Sequence, residues 1–178
     1  MIETKRLVLR PFQERDAEDV WEYLKKPAVN CFACMKLDSI EQARVEMKKR
    51  MGKTEYCFAI TLKGTGKVIG EIEASSETAE PHKPQDEAAI TRDVFSPCWM
   101  LNKEYQGQGY AYEAAQAFFD YLFTQMGARR IYAYTEDYNL SSQHLCEKLG
   151  MRREGLFKEF VSFINNSDGT PRYENTYQ

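Results

Sequence analysis

One stretch limits the folds open to this chain of 178 residues more than any other. Val94–Leu101 is an apolar run of the kind found in a buried strand. Glu104-Tyr105-Gln106-Gly107-Gln108-Gly109-Tyr110-Ala111 follows it. Beyond that, apolar residues recur at helical spacing: Ala111, Ala114, Ala115, Phe118, Leu122 and Met126. A strand therefore runs into a glycine-bearing turn, and the turn opens a helix. Gly107 and Gly109 let the backbone approach a ligand closely, because no Cβ intervenes. The first N–H groups of the helix have no partner within it, and the helix dipole adds positive potential there. The stretch thus predicts an anion site, suited to a phosphate or pyrophosphate. A tight connection that binds nothing is the alternative. No Gly-Lys-Ser/Thr is present, which excludes a P-loop, and the third glycine of a dinucleotide fingerprint is missing.

The length suits a single domain over residues 1–178, large enough for a substantial core. Hydrophobic residues at 43% and aromatics at 13% argue against disorder. A net charge of −3 gives no electrostatic reason to expect nucleic acid. The one basic run, Lys48-Lys49-Arg50, reads as a solvated helix face. No apolar segment approaches the roughly 20 residues of a membrane span, and the N-terminus carries no apolar signal region. A cytoplasmic protein is expected, with neither nucleic acid nor membrane as partner. Five cysteines fit reduced thiols better than a disulfide framework. Cys31-Phe32-Ala33-Cys34 has the C-x-x-C form, but zinc needs two more ligands and the only histidines are His82 and His144. Ordinary thiols and no metal are expected.

Taken in order, Leu7–Arg10 reads as a first strand ended by Pro11. Asp16 is placed to cap a helix that runs to about Lys26. Residues 30–37 read as irregular. Ser39 starts a second helix, with Gln42 at capping-box spacing, which ends at Gly52. Residues 56–62 and 67–75 form a hairpin through Lys63-Gly64-Thr65-Gly66. Residues 77–93 are polar, carry Pro81 and Pro84, and read either as a binding loop or as a surface insertion. After the central strand, turn and helix, residues 130–135 form the next strand. Asn139 caps a short helix ended by Gly150. Strands over 156–164 and 172–177 close the chain, the last one cut short where the sequence stops. The pattern is that of an α/β (α+β) domain with a mixed, mostly antiparallel twisted sheet flanked by helices.

Two motifs now carry a family resemblance. Gln106, Gly109 and Ala111 form Gln-x-x-Gly-x-Ala, which resembles the acyl-coenzyme A pyrophosphate loop of the GNAT superfamily of N-acetyltransferases. Asn139, Ser142, Leu145, Lys148, Gly150 and Met151 resemble a second GNAT signature, with Met151 where the family usually has phenylalanine. The opening, Thr4-Lys5-Arg6-Leu7-Val8-Leu9-Arg10-Pro11 and then Asp16-Ala17, looks like the ribosomal-protein N-acetyltransferase branch, as do Phe58-Ala59-Ile60 and Lys67-Val68-Ile69-Gly70. The likeness covers nearly the whole chain.

That resemblance implies a sheet whose fourth and fifth strands, here Val94–Leu101 and 130–135, splay apart around the pantetheine arm of acetyl-CoA, the acyl donor. It implies that backbone groups of Cys98, Trp99, Met100 and Leu101 pair with the pantetheine amides. Gln106, Gly107, Gln108, Gly109, Tyr110 and Ala111 then hold the pyrophosphate, with Asn139, Ser141 and Ser142 on the far wall. Asn139 as a plain helix cap is the alternative.

Acetyl transfer needs a neutral amine, a polarised thioester and a proton for the departing thiolate. An α-amine, with a pKa of about 7.7–8.0, asks less of a base than a lysine amine near 10.4. A tyrosine often serves as acid at the position of Cys146 here, so the candidate acids are Ser142 and Cys146, either of which has a purely structural alternative. Glu71 and Glu73 share one face of their strand and are the candidate bases. Acidic residues such as Glu77, Glu80, Asp86 and Glu87 lean toward a cationic acceptor. The expected acceptor is a protein N-terminus or a small-molecule amine, and the expected state a monomer or homodimer. A non-catalytic coenzyme A-binding or regulatory module is the competing reading.

Overall fold

The computed structural model describes residues 1–53, 56–77 and 92–178. A short pair, β1 (Ile2–Glu3) and β2 (Leu7–Arg10), opens the chain, so the later strands are numbered one higher than the family count. Helices α1 (Ala17–Leu24) and α2 (Ile40–Arg50) follow, joined through a 3-10 turn over Asn30–Met35. Strands β3 (Cys57–Leu62), β4 (Val68–Glu77) and β5 (Val94–Leu101) lead to α3 (Tyr110–Thr124). Then come β6 (Arg130–Ile131), β7 (Thr135–Glu136), α4 (Leu140–Lys148), β8 (Leu156–Asn165) and β9 (Pro171–Tyr177). The polar stretch expected as a loop over 77–93 falls almost entirely outside the described residues, including Glu80, Asp86 and Glu87. Among the described residues, no helix is long and apolar enough to cross a membrane.

Helix starts follow the sequence at α2 and depart from it at α1. Ser39 Oγ accepts the Gln42 amide at 3.2 Å, while Gln42 Oε1 accepts the Asp38 amide at 2.8 Å, one residue before the reciprocal capping box places it. Asp16 makes no side-chain cap to α1. Its carboxylate is taken by the Arg10 guanidinium at 2.7 and 2.8 Å and by the Gln13 amide at 2.8 Å. A charge-assisted, two-pronged bond outcompetes a single cap.

Six strands form one sheet in the order β1-β2-β3-β4-β5-β6, antiparallel except for the parallel β5–β6 pair. The other three form a second sheet, β7-β9-β8. Alternation along the strands builds two cores, one on each face of the large sheet. Leu7, Leu9, Phe58, Ile60, Ile72, Phe95 and Leu101 pack against Ala114, Ala115, Phe118 and Leu122 of α3. Cys57, Ala59, Val68 and Met100 pack against Val20, Tyr23, Leu24, Ala43 and Met47 of α1 and α2.

The strand expected over 130–135 is not continuous. β5 and β6 pair only at Val94↔Arg130 and Phe95↔Ile131, with one further bond from the Tyr132 amide to the Phe95 carbonyl at 3.0 Å. Thr135 and Glu136 then pair with β9 in the other sheet. The reason is written in β5. Phe95 turns its carbonyl toward β6, so by alternation Pro97, Trp99 and Leu101 turn theirs the same way. Pro97 has no N–H to donate at the first position where the ladder should continue. The strands part there, and the far edge of β5 is left open.

Candidate active site

The turn from β5 into α3 is an amide cradle. Gly107 and Gly109 have φ of 73° and 81°, in the left-handed region that favours glycine. Glu113 is the first residue of α3 whose amide has a partner, the Gly109 carbonyl at 3.1 Å. Among the described residues, the amides from Gly107 to Tyr112 have no acceptor. Side chains brace the turn rather than face a ligand: Gln106 Nε2 donates to the Leu101 carbonyl at 3.1 Å, and Gln108 Nε2 donates to the Glu104 carbonyl at 3.0 Å. Arg6, which the sequence reading did not single out as a site residue, locks this arrangement. Its guanidinium donates to the Gln108 carbonyl at 3.0 Å, pairs with Glu113 at 2.6 Å and lies 4.2 Å from the Tyr110 ring centre. Lys148 of α4 lies 4.6 Å from the Tyr112 ring centre, so a second cation flanks the start of α3.

From this cradle the open edge of β5 leads inward. Of the expected Cys98, Trp99, Met100 and Leu101, alternation turns the backbone of Trp99 and Leu101 toward the gap and that of Cys98 and Met100 toward β4. Trp99 packs on Phe119 of α3, with ring centroids 6.5 Å apart. Across the gap, Cys146 lines a cleft of about 510 Å³ together with Phe119, Tyr132, Ala133 and Thr135. That cleft takes in none of the residues from 106 to 111. Burial pushes the Cys146 thiol up to about 11, so it stays protonated at neutral pH.

Asn139 is fully engaged within the protein. Its Oδ1 accepts the Ser142 amide at 3.3 Å and the Ser141 hydroxyl at 3.1 Å, and its Nδ2 donates to Glu136 at 3.0 Å. The cap reading therefore accounts for its Oδ1, and Glu136 for its Nδ2. Ser141 is exposed and spent on Asn139, whereas Ser142 is half-buried on the inner turn of α4.

The two strand carboxylates differ sharply. Glu71 and Glu73 do share the α1/α2 face of β4, as alternation predicts. Glu71 is buried and held by the Arg50 guanidinium at 2.7 Å and the Tyr23 hydroxyl at 2.8 Å. Burial and then the Glu71 carboxylate raise the Tyr23 phenol well above its ordinary value. Arg50 corrects the reading of Lys48-Lys49-Arg50 as a solvated face: it is 5% exposed and also pairs with Glu46 at 2.9 Å. Glu73 has no basic partner among the described residues and meets the Cys98 thiol at 3.7 Å. Burial first, then Glu73, raises that thiol well above its ordinary value. Cys31 lies inward on the 3-10 turn near Cys98, while Cys34 is exposed.

Comparisons agree with this geometry. The family model of the acetyltransferase (GNAT) domain matches residues 6–152. The uncharacterized N-acetyltransferase YnaD of Bacillus subtilis (strain 168) is 32% identical over 160 residues, covering 90% of this chain and 87% of its own. A GNAT-family acetyltransferase structure from Bacillus anthracis superposes with a TM-score of 0.80 at 30% identity, covering 99% of this chain and 94% of that one. The ribosomal-protein-S5-alanine acetyltransferase of Vibrio fischeri shares the fold, with a TM-score of 0.69 at 18% identity over 98% of this chain and 92% of its own.

Proposed function

Because this chain belongs to the GNAT acetyltransferase family, a family of acyltransferase enzymes, we propose that it moves an acetyl group from acetyl-CoA to a primary amine by direct attack in a ternary complex. The observations that carry this are the amides of 107–112, which have no acceptor among the described residues, and the β5 edge that β6 leaves open from Pro97 on. An amide nest at a helix start suits a pyrophosphate, and a free strand edge suits an arm bearing two amides. Bound there, acetyl-CoA supplies a thioester whose carbonyl carbon accepts the amine as the carbon–sulfur bond breaks.

The chain's own groups supply the rest. In this reading a backbone N–H at the gap, such as that of Trp99, polarises the carbonyl oxygen. Glu73 takes the proton lost by the amine, directly or through water, while Glu71 is committed to Arg50 and Tyr23. Cys146 returns a proton to the departing thiolate, with Ser142 the second candidate. A thiol held at about 11 is a weaker proton donor than a phenol near 10 but, like the tyrosine common in this family, keeps its proton at neutral pH.

Thermal unfolding with millimolar acetyl-CoA tests donor binding, since a ligand of the native state raises the midpoint. A rise is expected, and no shift overturns the reading. Thiol release across a panel of amines then separates turnover from a non-catalytic coenzyme A-binding module, which gives the first result without the second.

A further inference from the structure

Glu136 sits where the two sheets meet and is 3% exposed. Its Oε2 accepts from Asn139 Nδ2 at 3.0 Å, but among the described residues its Oε1 has no partner. Thr176, directly opposite Glu136 in the β7–β9 ladder, likewise has a buried Oγ1 without a partner. One buried polar atom left unpaired costs on the order of 1–3 kcal/mol, and more for a charged group. Two on adjacent cross-strand positions mark a place prepared for something else.

The surroundings say what. Glu174 lies two residues before Thr176 on the same face of β9 and is 7% exposed. It accepts from Asn30 Nδ2 at 2.6 Å and from the Tyr138 hydroxyl at 3.0 Å, both neutral donors. The Cys31 thiol lies beside Glu136 without meeting hydrogen-bond geometry at Oε1; burial, then Glu136, raise it well above its ordinary value. Cys31 in turn neighbours Cys98, and Cys98 touches Glu73. Glu136, Cys31, Cys98 and Glu73 are thus successive neighbours, and among the described residues neither Glu73, Glu136 nor Glu174 has a basic partner. Glu71 shows the contrast, because its charge is met by Arg50 within the fold. Tyr138 and Asn30, which both bond Glu174, are exposed and half-buried, so this end of the cluster lies close to the surface.

We propose that Glu136 Oε1 and Thr176 Oγ1, backed by Glu174, form a subsite for an ammonium group, so that the acceptor is a small diamine whose reacting nitrogen lies at Glu73 and whose second, charged nitrogen docks at Glu136. The assignment of the reacting end rests on the acetyltransferase reading; the ammonium subsite does not. An ammonium supplies three donors and one positive charge, matching an unpaired carboxylate oxygen, a hydroxyl lone pair and the uncompensated negative charge.

The test uses the full chain and diaminobutane, with butylamine as the singly charged control. Without any acetyl donor, diaminobutane raises the unfolding midpoint more than butylamine does, and Glu136→Gln abolishes the difference. Gln keeps the oxygen that Asn139 binds, so the variant folds and melts no lower than the parent. Thr176→Val serves as a second variant and weakens diaminobutane binding alone. In turnover with acetyl-CoA, Glu136→Gln raises KM for diaminobutane at least about tenfold more than it raises KM for butylamine. Equal stabilisation by the two amines, or a Glu136→Gln variant that keeps the diamine preference, overturns the subsite. Diamine binding without its acetylation upholds the ammonium subsite and overturns the diamine as acceptor, while the acetyl-CoA melting shift decides the acetyltransferase reading separately.

Discussion

At the scale of single residues, two carboxylates on one strand face have opposite fates. Glu71 is fixed by Arg50 and Tyr23, whereas among the described residues Glu73 meets thiols, Cys98 and its cross-strand partner Cys57, and no cation. Glu71→Gln should therefore destabilise the fold by about 3 kcal/mol, by leaving Arg50 buried with Glu46 as its remaining anion. Glu73→Gln should leave stability within about 0.5 kcal/mol and lower kcat. Urea unfolding and thiol-release kinetics on the two variants check the pair. Cys146 carries a second prediction. With its thiol pushed up to about 11, the protonated acid persists until pH approaches that value. The pH–rate profile should show no decline between about pH 8 and 10, where an ordinary thiol near 8.5 would already have lost its proton. Cys146→Ala should lower the rate across that whole range. Alternation made the shared face of Glu71 and Glu73 legible in the sequence. The reach of Arg50 to Glu71 was not, because a basic run on a helix looks solvated until a carboxylate 21 positions away turns up beneath it.

At the scale of elements, the start of α3 depends on the link between β1 and β2, which carries Thr4 and Arg6, as much as on its own glycines. Gly109 combines a φ of 81° with a position where an added Cβ would come 3.4 Å from the Arg6 guanidinium. Gly109→Ala is expected to cost about 1–2 kcal/mol from backbone conformation alone, because the added Cβ meets Arg6 only at ordinary contact distance. Gly109→Asp should abolish acetyl-CoA binding by setting a carboxylate beside the bound phosphates. Calorimetric titration distinguishes the two. The Arg6–Glu113 link also makes this element acid-sensitive. Burial opposes the charged form of Glu113, but the Thr4 hydroxyl, the Arg6 amide and the Arg6 guanidinium outweigh it and hold the carboxyl below its ordinary value. A carboxylate depressed in the folded state stabilises above its unfolded pKa of about 4.3, and that contribution is lost as pH falls through the lower folded value. Glu113→Gln should accordingly flatten the decline in melting midpoint below about pH 4.3. The strand, turn and helix were legible because glycines and apolar spacing are local signals. Arg6 was not, because its target lies more than 100 residues along the chain.

At the scale of the whole molecule, five thiols report on packing at once. Cys31, Cys57, Cys98 and Cys146 are at least half-buried with their proton affinity raised, Cys57 to about 12, and Cys34 is exposed. Iodoacetamide at pH 8 should modify Cys34 well before the others, and mass analysis of the intact chain then shows one adduct before any second. The family resemblance correctly ordered the elements and foresaw the parting of two strands. The division into two sheets was less legible, since the link between β6 and β7 is itself apolar and strand-like in pattern. Its cause was nonetheless present in a single letter, Pro97. A missing N–H there leaves the amides of Trp99 and Leu101 without strand partners although β5 is not an end strand of its sheet. In deuterated water such amides should exchange as fast as those of an outer edge, while their neighbours at Cys98 and Met100, bonded to β4, exchange slowly. One strand would then show an every-other-residue pattern of labelling, and slowing of the fast pair would clock the arrival of a ligand.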